Sequence, residues 1–264
     1  MPNDHFENVA RYYGEFRPRY PARLFELIAD SCTLHQHVWD CATGSGQAAV
    51  ALAEIFDCVT ATDASAAQLE GSEPRDNIIY RCAPAEASGL NSGSVDAITV
   101  AQALHWFPLE AFFQECDRVL KPEGILAVWT YGLMRTHNET LNTIIRHYYN
   151  TVVGPYWPPE RRLVDEAYGS IELPFEELRI PQLDNQPLIL QQSWSMDQLI
   201  GYLRSWSASG YFAKANAEDP IAIIRTDLEE AWRDESQTQL IQWPITLRMS
   251  RKATPSSTCR DGQG

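Results

Sequence analysis

The sequence has few of the features that mark nucleic-acid-binding or membrane proteins. Only 21 of its 264 residues are Lys or Arg against 35 Asp or Glu, which gives a formal net charge of −14. A protein this acidic repels phosphate backbones and anionic lipid headgroups. No stretch approaches the run of about 18 apolar residues that a membrane-spanning helix needs. We therefore expect neither nucleic acid nor a membrane as a partner.

Signals for metal binding, disulfides and secretion are also lacking. No two of the six cysteines form a C-x-x-C motif, and no histidine cluster has metal-ligand spacing. The first residues, Met1–His5, have neither a basic start nor an apolar run, so no signal peptide is expected. Four cysteines lie in or beside apolar segments, as small buried residues do in a reducing compartment. We expect a cytoplasmic protein without metal, a monomer or a weak dimer.

The first half of the chain alternates short apolar, β-branched runs with helical patterns. Strands are predicted at 37–41, 58–62, 78–82, 95–101 and 124–130. Helices are predicted from Pro21, at 47–56, at 65–71 and at 110–120. Strands that alternate with helices are typical of βαβ units and a parallel sheet. The fold class is therefore α/β, and right-handed crossovers leave few topologies.

After Tyr131 the pattern changes and aromatic residues become frequent. Helices are predicted at 138–150, 160–168, 196–207 and 220–234. Two strand-like runs broken by prolines are predicted within 173–192, and a last strand, interrupted at Pro244, at 238–249. We predict a core with an N-terminal lid at 1–131, a cap or substrate insertion at 132–215, a segment completing the sheet at 216–252, and a disordered tail at 253–264.

A glycine turn follows the first predicted strand. The run Gly44-Ser45-Gly46-Gln47-Ala48-Ala49 matches G-x-G-x-x-A between a strand and a helix. Glycines there allow a sharp turn and the close approach of a ligand. The match alone is compatible with NAD, so a nicotinamide-dependent oxidoreductase stays an alternative.

The acidic residues around this turn favour a different ligand. Asp40 ends the first strand, where a carboxylate would disfavour a pyrophosphate and favour the ammonium and sulfonium of S-adenosylmethionine. Asp63 ends the second strand and can accept both ribose hydroxyls. The loop Pro84-Ala85-Glu86 follows the third strand, at the right place for adenine. In the alternative interpretation, Asp40 is a surface carboxylate, Asp63 caps the next helix in competition with Ser65, and Glu86 is solvated.

With these motifs the chain resembles the class I S-adenosylmethionine-dependent methyltransferases, and within them the trans-aconitate methyltransferase-like small-molecule group. The match is carried by the glycine turn, the Pro84-Ala85-Glu86 loop and three further segments: 13–21, 101–107 and 243–248. It implies a Rossmann-like, seven-stranded, mostly parallel sheet whose last strand is antiparallel, with a helical cap. Ala42 departs from the usual first glycine of the turn. Pro84 stands where many class I enzymes have an aspartate whose side chain reaches adenine. The backbone of Ala85 and Glu86 is therefore the expected adenine contact.

The resemblance and the motifs together give a set of expected S-adenosylmethionine contacts. We hypothesise that the segment before the first helix folds over the ligand and meets its carboxylate through Arg17 or Tyr13, because an arginine fork suits a carboxylate. The expected contacts are Tyr13, Arg17, Asp40, Ala42, Thr43, Gly44, Gly46, Asp63, Ala64, Ala85, Glu86, Ala101 and Gln102.

The methyl acceptor is expected to lie beside the fourth strand. His105 and Trp106 follow that strand, at the edge where open α/β sheets bind ligands, and are interpreted as a wall between donor and acceptor or as a packing pair. His105 is the candidate catalytic base if the acceptor is a hydroxyl, whereas a carboxylate needs none. The other expected lining residues are Trp157, Arg161, Trp206 and Tyr211.

Aromatic rings with a few arginines suit a pocket for a small organic acid, although such rings can equally form the core between helices. The function predicted from the sequence is methyl transfer from S-adenosylmethionine to a small molecule, with O-methylation of a carboxylic acid as the expected reaction. A non-catalytic S-adenosylmethionine-binding protein is the second alternative.

Overall fold

The structure is a computed structural model that describes residues 19–234 and 236–254. This part of the chain forms two compact units. The sheet unit contains residues 21–130, 168–188 and 246–254, and the helical unit contains 19–20, 131–167 and 189–245. The expected boundaries at 132–215 and 216–252 therefore do not match the units, since 168–188 belongs to the sheet unit and 216–245 to the helical unit. Nearly all of the tail expected at 253–264 lies outside the described residues.

Eight strands run through the described chain. They are β1 His37–Cys41, β2 Cys58–Asp63, β3 Ile78–Cys82, β4 Val95–Ala101, β5 Leu120–Tyr131, β6 Glu176–Glu177, β7 Ile189–Trp194 and β8 Gln239–Arg251. Seven of them follow the order β3-β2-β1-β4-β5-β8-β6, and β7 pairs with the first half of β8. The pairs among β1 to β5 are parallel, whereas β6 and β7 are antiparallel to β8. The predicted Rossmann-like, mostly parallel sheet is confirmed, with β7 as an additional strand.

The central strands are buried on both faces. In β1 and β4 nearly every side chain is buried, as expected when helices cover both faces of a parallel sheet. The first four predicted strands agree with the structure to within one residue. The fifth begins at Leu120 rather than at Gly124.

Ten helices accompany the strands in the described residues. They are α1 Ala22–Ser31, α2 Gln47–Leu52, α3 Ala66–Leu69, α4 Leu109–Val119, α5 Glu139–His147, α6 Arg161–Asp165, α7 Gln182–Asn185, α8 Met196–Arg204, α9 Ser207–Asn216 and α10 Ile221–Trp232. The apolar face predicted for α1 is buried, at Leu24, Phe25, Leu27 and Ile28. None of the described helices has the length and apolar character to cross a membrane.

Two helices of the sheet unit are shorter than predicted. Helix α2 ends at Leu52 instead of continuing to Phe56, because the amides of Asp57 and Cys58 donate to the carbonyls of His35 and Gln36 and draw the chain out of the helix. Helix α3 is a single turn, whereas the sequence predicted a helix over 65–71.

The predictions were least accurate after residue 138. Helix α5 ends at His147 and continues as a π-helical turn, Tyr148–Val152. The region 173–192 contains two strands, β6 and most of β7, as predicted, but the short helix α7 between them was not predicted; Pro181 suits the start of this helix. Helix α9 was not predicted. Pro244 lies inside a continuous β8, at the last residue of its pairing with β7, where no further amide is needed.

Candidate functional site

The turn between β1 and α2 is held in a left-handed backbone conformation. Ala42, Gly44 and Gly46 have φ angles of 55°, 57° and 84°. The amide of Thr43 donates to the carbonyl of Thr62 on β2, at 2.9 Å, which ties the turn to the neighbouring strand. The family usually has a glycine at the position of Ala42. The positive φ explains this preference, because it is unfavourable for an L-residue and not for glycine.

The two glycines of the turn have different surroundings. A Cβ atom added at Gly46 would lie 2.6 Å from the hydroxyl of Tyr80, whereas one at Gly44 would meet nothing closer than Gln68 Oε1, at 3.9 Å. Gly46 is therefore required by both a positive φ and the Tyr80 ring. Gly44 leaves its surface open to a ligand.

Asp40 lies directly below this turn and is fully buried. Its two carboxylate oxygens each accept one hydroxyl hydrogen, from Thr43 at 2.5 Å and from Thr99 at 2.7 Å. Burial raises the pKa of Asp40 from 3.8 to about 6, although these hydrogen bonds oppose the shift. The alternative interpretation of Asp40 as a surface carboxylate is therefore wrong. Asp40 orients Thr43 and supplies a negative potential from below.

Asp63 stands at the end of β2, half-buried, beside the same turn. Its Oδ2 accepts the amide hydrogen of Gly44 at 2.9 Å, and its Oδ1 accepts that of Ser65 at 2.8 Å. Ser65, and not Asp63, is the N-cap residue of α3. Each carboxylate oxygen can accept more than one hydrogen bond, so Asp63 keeps capacity for a ligand hydroxyl.

The loop after β3 is anchored from beneath by Glu115 of α4. Glu115 Oε1 accepts hydrogen bonds from the amide of Ser88 at 2.9 Å and from its hydroxyl at 2.5 Å. Arg118 donates to both carboxylate oxygens at 2.7 Å. Burial alone would raise the pKa of Glu115, but these hydrogen bonds lower it. In the anchored loop Ala85 is buried and Glu86 is exposed.

The residues after β4 form a second constrained turn. Gln102 follows Ala101 with a φ of 55°, and its amide donates to the carbonyl of Trp129 at 3.0 Å. The hydroxyl of Thr130 donates a hydrogen bond to the side-chain oxygen of Gln102. Neighbouring β5 thus determines how the chain leaves β4 towards His105.

His105 and Trp106 lie on a 3₁₀ turn, Leu104–Trp106. The Nδ1 atom of His105 lies 2.9 Å from the hydroxyl of Tyr168, which is buried. The His105 and Trp106 rings are 4.8 Å apart, and Trp106 is 58% exposed. Tyr168 has a φ of 59°, and its carbonyl accepts a hydrogen bond from Arg248 of β8. The orientation of His105 is therefore set by a tyrosine 63 positions later in the chain.

Three of the expected acceptor-lining residues come together in the helical unit. Trp157 lies 5.6 Å from Trp206, and the guanidinium carbon of Arg161 is 4.8 Å from the Trp157 ring. The Tyr149 ring joins this cluster at 5.0 Å from Trp157. Tyr211 of α9 is 56% exposed and has no ring contact among the described residues.

Of the expected donor contacts, Tyr13 and Arg17 lie outside the described residues. The others that the structure describes all belong to the sheet unit, at the ends of β1, β2, β3 and β4. These strands are parallel neighbours, so their carboxyl ends meet at one edge. The chemistry of this set suits a cationic ligand with vicinal hydroxyls, because it offers carboxylate acceptors and an open glycine surface. The residues present therefore fit S-adenosylmethionine.

Sequence reasoning missed the residues that position this set. Thr99, Tyr80, Glu115 and Tyr168 were not among the expected site residues. Thr99 could have been noticed as a hydroxyl inside the apolar run of β4, where a buried polar group needs a partner. The other contacts have no signal in a single sequence, because their partners are many residues away.

Comparisons with known proteins agree with this geometry. Residues 39–128 match the family described as "Methyltransferase domain". A Dictyostelium discoideum protein named as a methyltransferase is 36% identical over 256 residues, which is 95% of each chain. A Saccharomyces cerevisiae protein named as an S-adenosylmethionine-dependent methyltransferase is 25% identical over 284 residues, 95% of this chain and 97% of that one.

A solved structure supports the same assignment. The structure of a type II methyltransferase from Anaeromyxobacter dehalogenans is 37% identical, with a TM-score of 0.83 over 90% of this chain and 100% of that chain. These similarities decide against the nicotinamide-dependent alternative and identify an enzyme. The chain belongs to the class I S-adenosylmethionine-dependent methyltransferases.

Proposed function

We propose that this enzyme methylates a carboxylate oxygen of a small organic acid, with the donor bound at the carboxyl ends of β1 to β4. The observation that carries the donor position is the pair of carboxylates around one open glycine turn: Asp40 below it and Asp63 beside it. S-adenosylmethionine supplies a methyl group on a positively charged sulfur, which needs no further activation.

Each described residue of the proposed donor site has one task. Asp40 stabilises the cationic part through its charge and holds Thr43 in place. Asp63 accepts the ribose hydroxyls while its contact with the Gly44 amide fixes its orientation. Ala85 and Glu86 contact adenine through their backbone, on a loop that Glu115 keeps in position. Ala42, Ala64, Ala101 and Gln102 complete the walls.

The acceptor proposal rests on the chemistry of the nucleophile. A carboxylate is ionised at neutral pH and attacks without losing a proton, so the protein only has to orient it and exclude water. The new bond forms between a carboxylate oxygen and the methyl carbon while the carbon–sulfur bond breaks, and the electron pair stays on sulfur. His105, oriented by Tyr168, would then position the acceptor. For a hydroxyl acceptor the same ring would have to take up a proton.

Calorimetric titration of the full chain tests the donor part of this proposal. S-adenosylmethionine and S-adenosylhomocysteine should bind, and NAD should not. Asp63→Ala should weaken donor binding by about 1.5–3 kcal/mol, the usual value of a hydrogen bond to a charged group. Asp76→Ala, which changes an exposed aspartate before β3, is the matched control and should bind like the wild type. Equal affinities of D63A and D76A would contradict the ribose contact.

The acceptor part needs a separate assay with labelled donor. Small carboxylic acids, phenols and amines are offered one by one, and the label is followed into each product. Base-labile methyl esters from the acids would support the proposal. Transfer to phenols or amines with none to acids would contradict it without affecting the donor site.

A further inference from the structure

The helical unit contains an arginine that is held rigidly on one side and open on the other. Arg161 begins α6, and its guanidinium carbon lies 4.8 Å from the centre of the Trp157 ring and 5.3 Å from that of Tyr149. A guanidinium stacked on aromatic rings gains cation–π attraction and loses rotational freedom. Its side chain is only 23% exposed.

The inner edge of this guanidinium is hydrogen-bonded to protein. Nε donates to the Tyr149 hydroxyl at 2.7 Å and approaches Asp165 Oδ1 at 3.3 Å. Tyr149 in turn donates to Asp165 Oδ1 at 2.5 Å. Burial raises the pKa of Tyr149, so its hydroxyl stays protonated and can donate. These contacts fix the plane in which the guanidinium lies.

The outer edge of the guanidinium has no partner of this kind. Nη1 and Nη2 carry four of the five N–H groups of an arginine, and neither has a hydrogen-bond acceptor within residues 19–234 and 236–254. Both atoms project from a side chain that is otherwise fully engaged. An oriented pair of parallel N–H donors matches the two oxygens of a carboxylate.

Arg161 lines a cavity of about 320 Å³. Its other lining residues include Trp157, Pro158 and Pro159, together with the polar residues Arg162 and Asp165. A volume of this size holds a small organic molecule. The lining combines apolar and polar side chains in similar shares, which suits a ligand that has both an apolar body and a charged group.

We propose that this cavity is a binding site for a small organic acid with a flat apolar body, whose carboxylate is held by Nη1 and Nη2 of Arg161 and whose body lies on Trp157. The proposal rests on the proposed function only for the class of ligand. The cavity favours a ligand with a single negative charge, because Asp165 already offsets part of the charge of Arg161 and Glu166 pairs with Arg162 at 3.2 Å. A doubly charged phosphate would meet too little positive charge.

Binding is tested on the full chain without methyl donor, by calorimetry and by tryptophan fluorescence, with benzoate as the probe. Benzamide, which has the same shape without the charge, is the ligand control. Arg161→Gln should weaken benzoate binding at least tenfold, and Arg161→Lys should have an intermediate effect because lysine keeps the charge and loses the fork. Arg225→Gln is the matched protein control and should stay within about twofold, since Arg225 is 47% exposed and lies outside the cavity lining.

Melting temperatures of all variants separate binding from folding. If R161Q unfolds, R161K carries the test, because it retains the cation between the rings. The proposal is overturned if benzoate fails to bind the wild type, if R161Q and R225Q lose affinity equally, if benzamide binds as tightly as benzoate, or if inorganic phosphate binds more tightly. Loss of benzoate binding in R161Q together with unchanged methyl transfer to acids would support this site as separate from the acceptor site, whereas benzoate binding that persists in R161Q would overturn it and leave the proposed function standing.

Discussion

Asp40 is the residue through which pH should act most directly on this enzyme. The carboxyl group is fully buried under the glycine turn, and burial raises its pKa from 3.8 to about 6. The hydroxyls of Thr43 and Thr99 and the negative charge of Asp63 act on the same group in opposite directions. The informative perturbation is Asp40→Asn, which keeps the shape of the side chain and removes its titration.

The sign of the effect follows from proton binding. The folded protein holds the Asp40 proton between about pH 4 and about pH 6, where the unfolded chain has lost it, so stability must fall as the pH rises through this window. A shift of about two pH units corresponds to roughly 3 kcal/mol. The wild type should therefore lose about 3 kcal/mol of unfolding free energy between pH 4 and pH 7 relative to D40N.

The assay is urea unfolding followed by tryptophan fluorescence, at closely spaced pH values, for wild type and D40N. Subtraction of the two curves removes all other titrating groups. A cationic donor favours the ionised carboxylate, so its affinity for the wild type should also fall by up to tenfold per pH unit below about pH 6. A flat difference curve would refute the argument, since it would mean that Asp40 ionises normally despite its burial.

Four further substitutions test the contacts that shape the site. Gly46→Ala should cost about 2–4 kcal/mol, from its φ and from the overlap with Tyr80, whereas Gly44→Ala should cost only about 1–2 kcal/mol; equal losses would refute the steric argument. Glu115→Gln should cost about 1–3 kcal/mol in urea unfolding at pH 7. Because the pKa of Glu115 is lowered, this difference should vanish as the pH falls below 4.5, and a difference that persists there would contradict it. Tyr168→Phe should lower kcat roughly threefold to tenfold and shift its pH profile with an unchanged donor affinity; a loss of donor affinity instead would reveal a structural role.

The core of the fold could be predicted from the sequence because its signals are local. Each strand from β1 to β4 is a short β-branched run followed by a turn residue, and β1 is followed by the G-x-G-x-x-A turn. The acidic residues Asp40 and Asp63 stand where those runs end. Parallel neighbours bring such positions to one edge, so the donor set followed from order along the chain.

The contacts that orient this set could not be predicted in the same way. Glu115 anchors a loop 27 positions earlier, and Tyr168 reaches His105 over 63 positions. No local pattern encodes such pairs, and they form only after the strands have assembled. The same limitation affected the region after residue 138, where aromatic residues at helical spacing fit both a helical core and a ligand site.

Three of the four non-glycine residues with a positive φ in the described sheet unit lie in segments of the proposed chemistry, and the fourth is Glu123. Ala42, Gln102 and Tyr168 are not glycines, yet all have φ angles between 55° and 59°. Such residues cost on the order of 1–3 kcal/mol each and persist only where the surroundings hold them. Here each is held by a contact to a neighbouring strand or loop: the Thr43 amide on Thr62 for the first turn, the carbonyl of Trp129 for Gln102, and Arg248 for Tyr168.

Because three separate contacts maintain three separate strained residues, chance packing is a poor explanation. A relaxed loop would suffice if these segments only connected strands. The strain fixes the direction in which the chain leaves β1 and β4 and the direction from which Tyr168 meets His105, and under the proposed function these directions would set how donor, acceptor and imidazole align. An alanine at position 42 that is tolerated at this cost implies that the alignment of the turn matters more to this enzyme than the stability a relaxed loop would add.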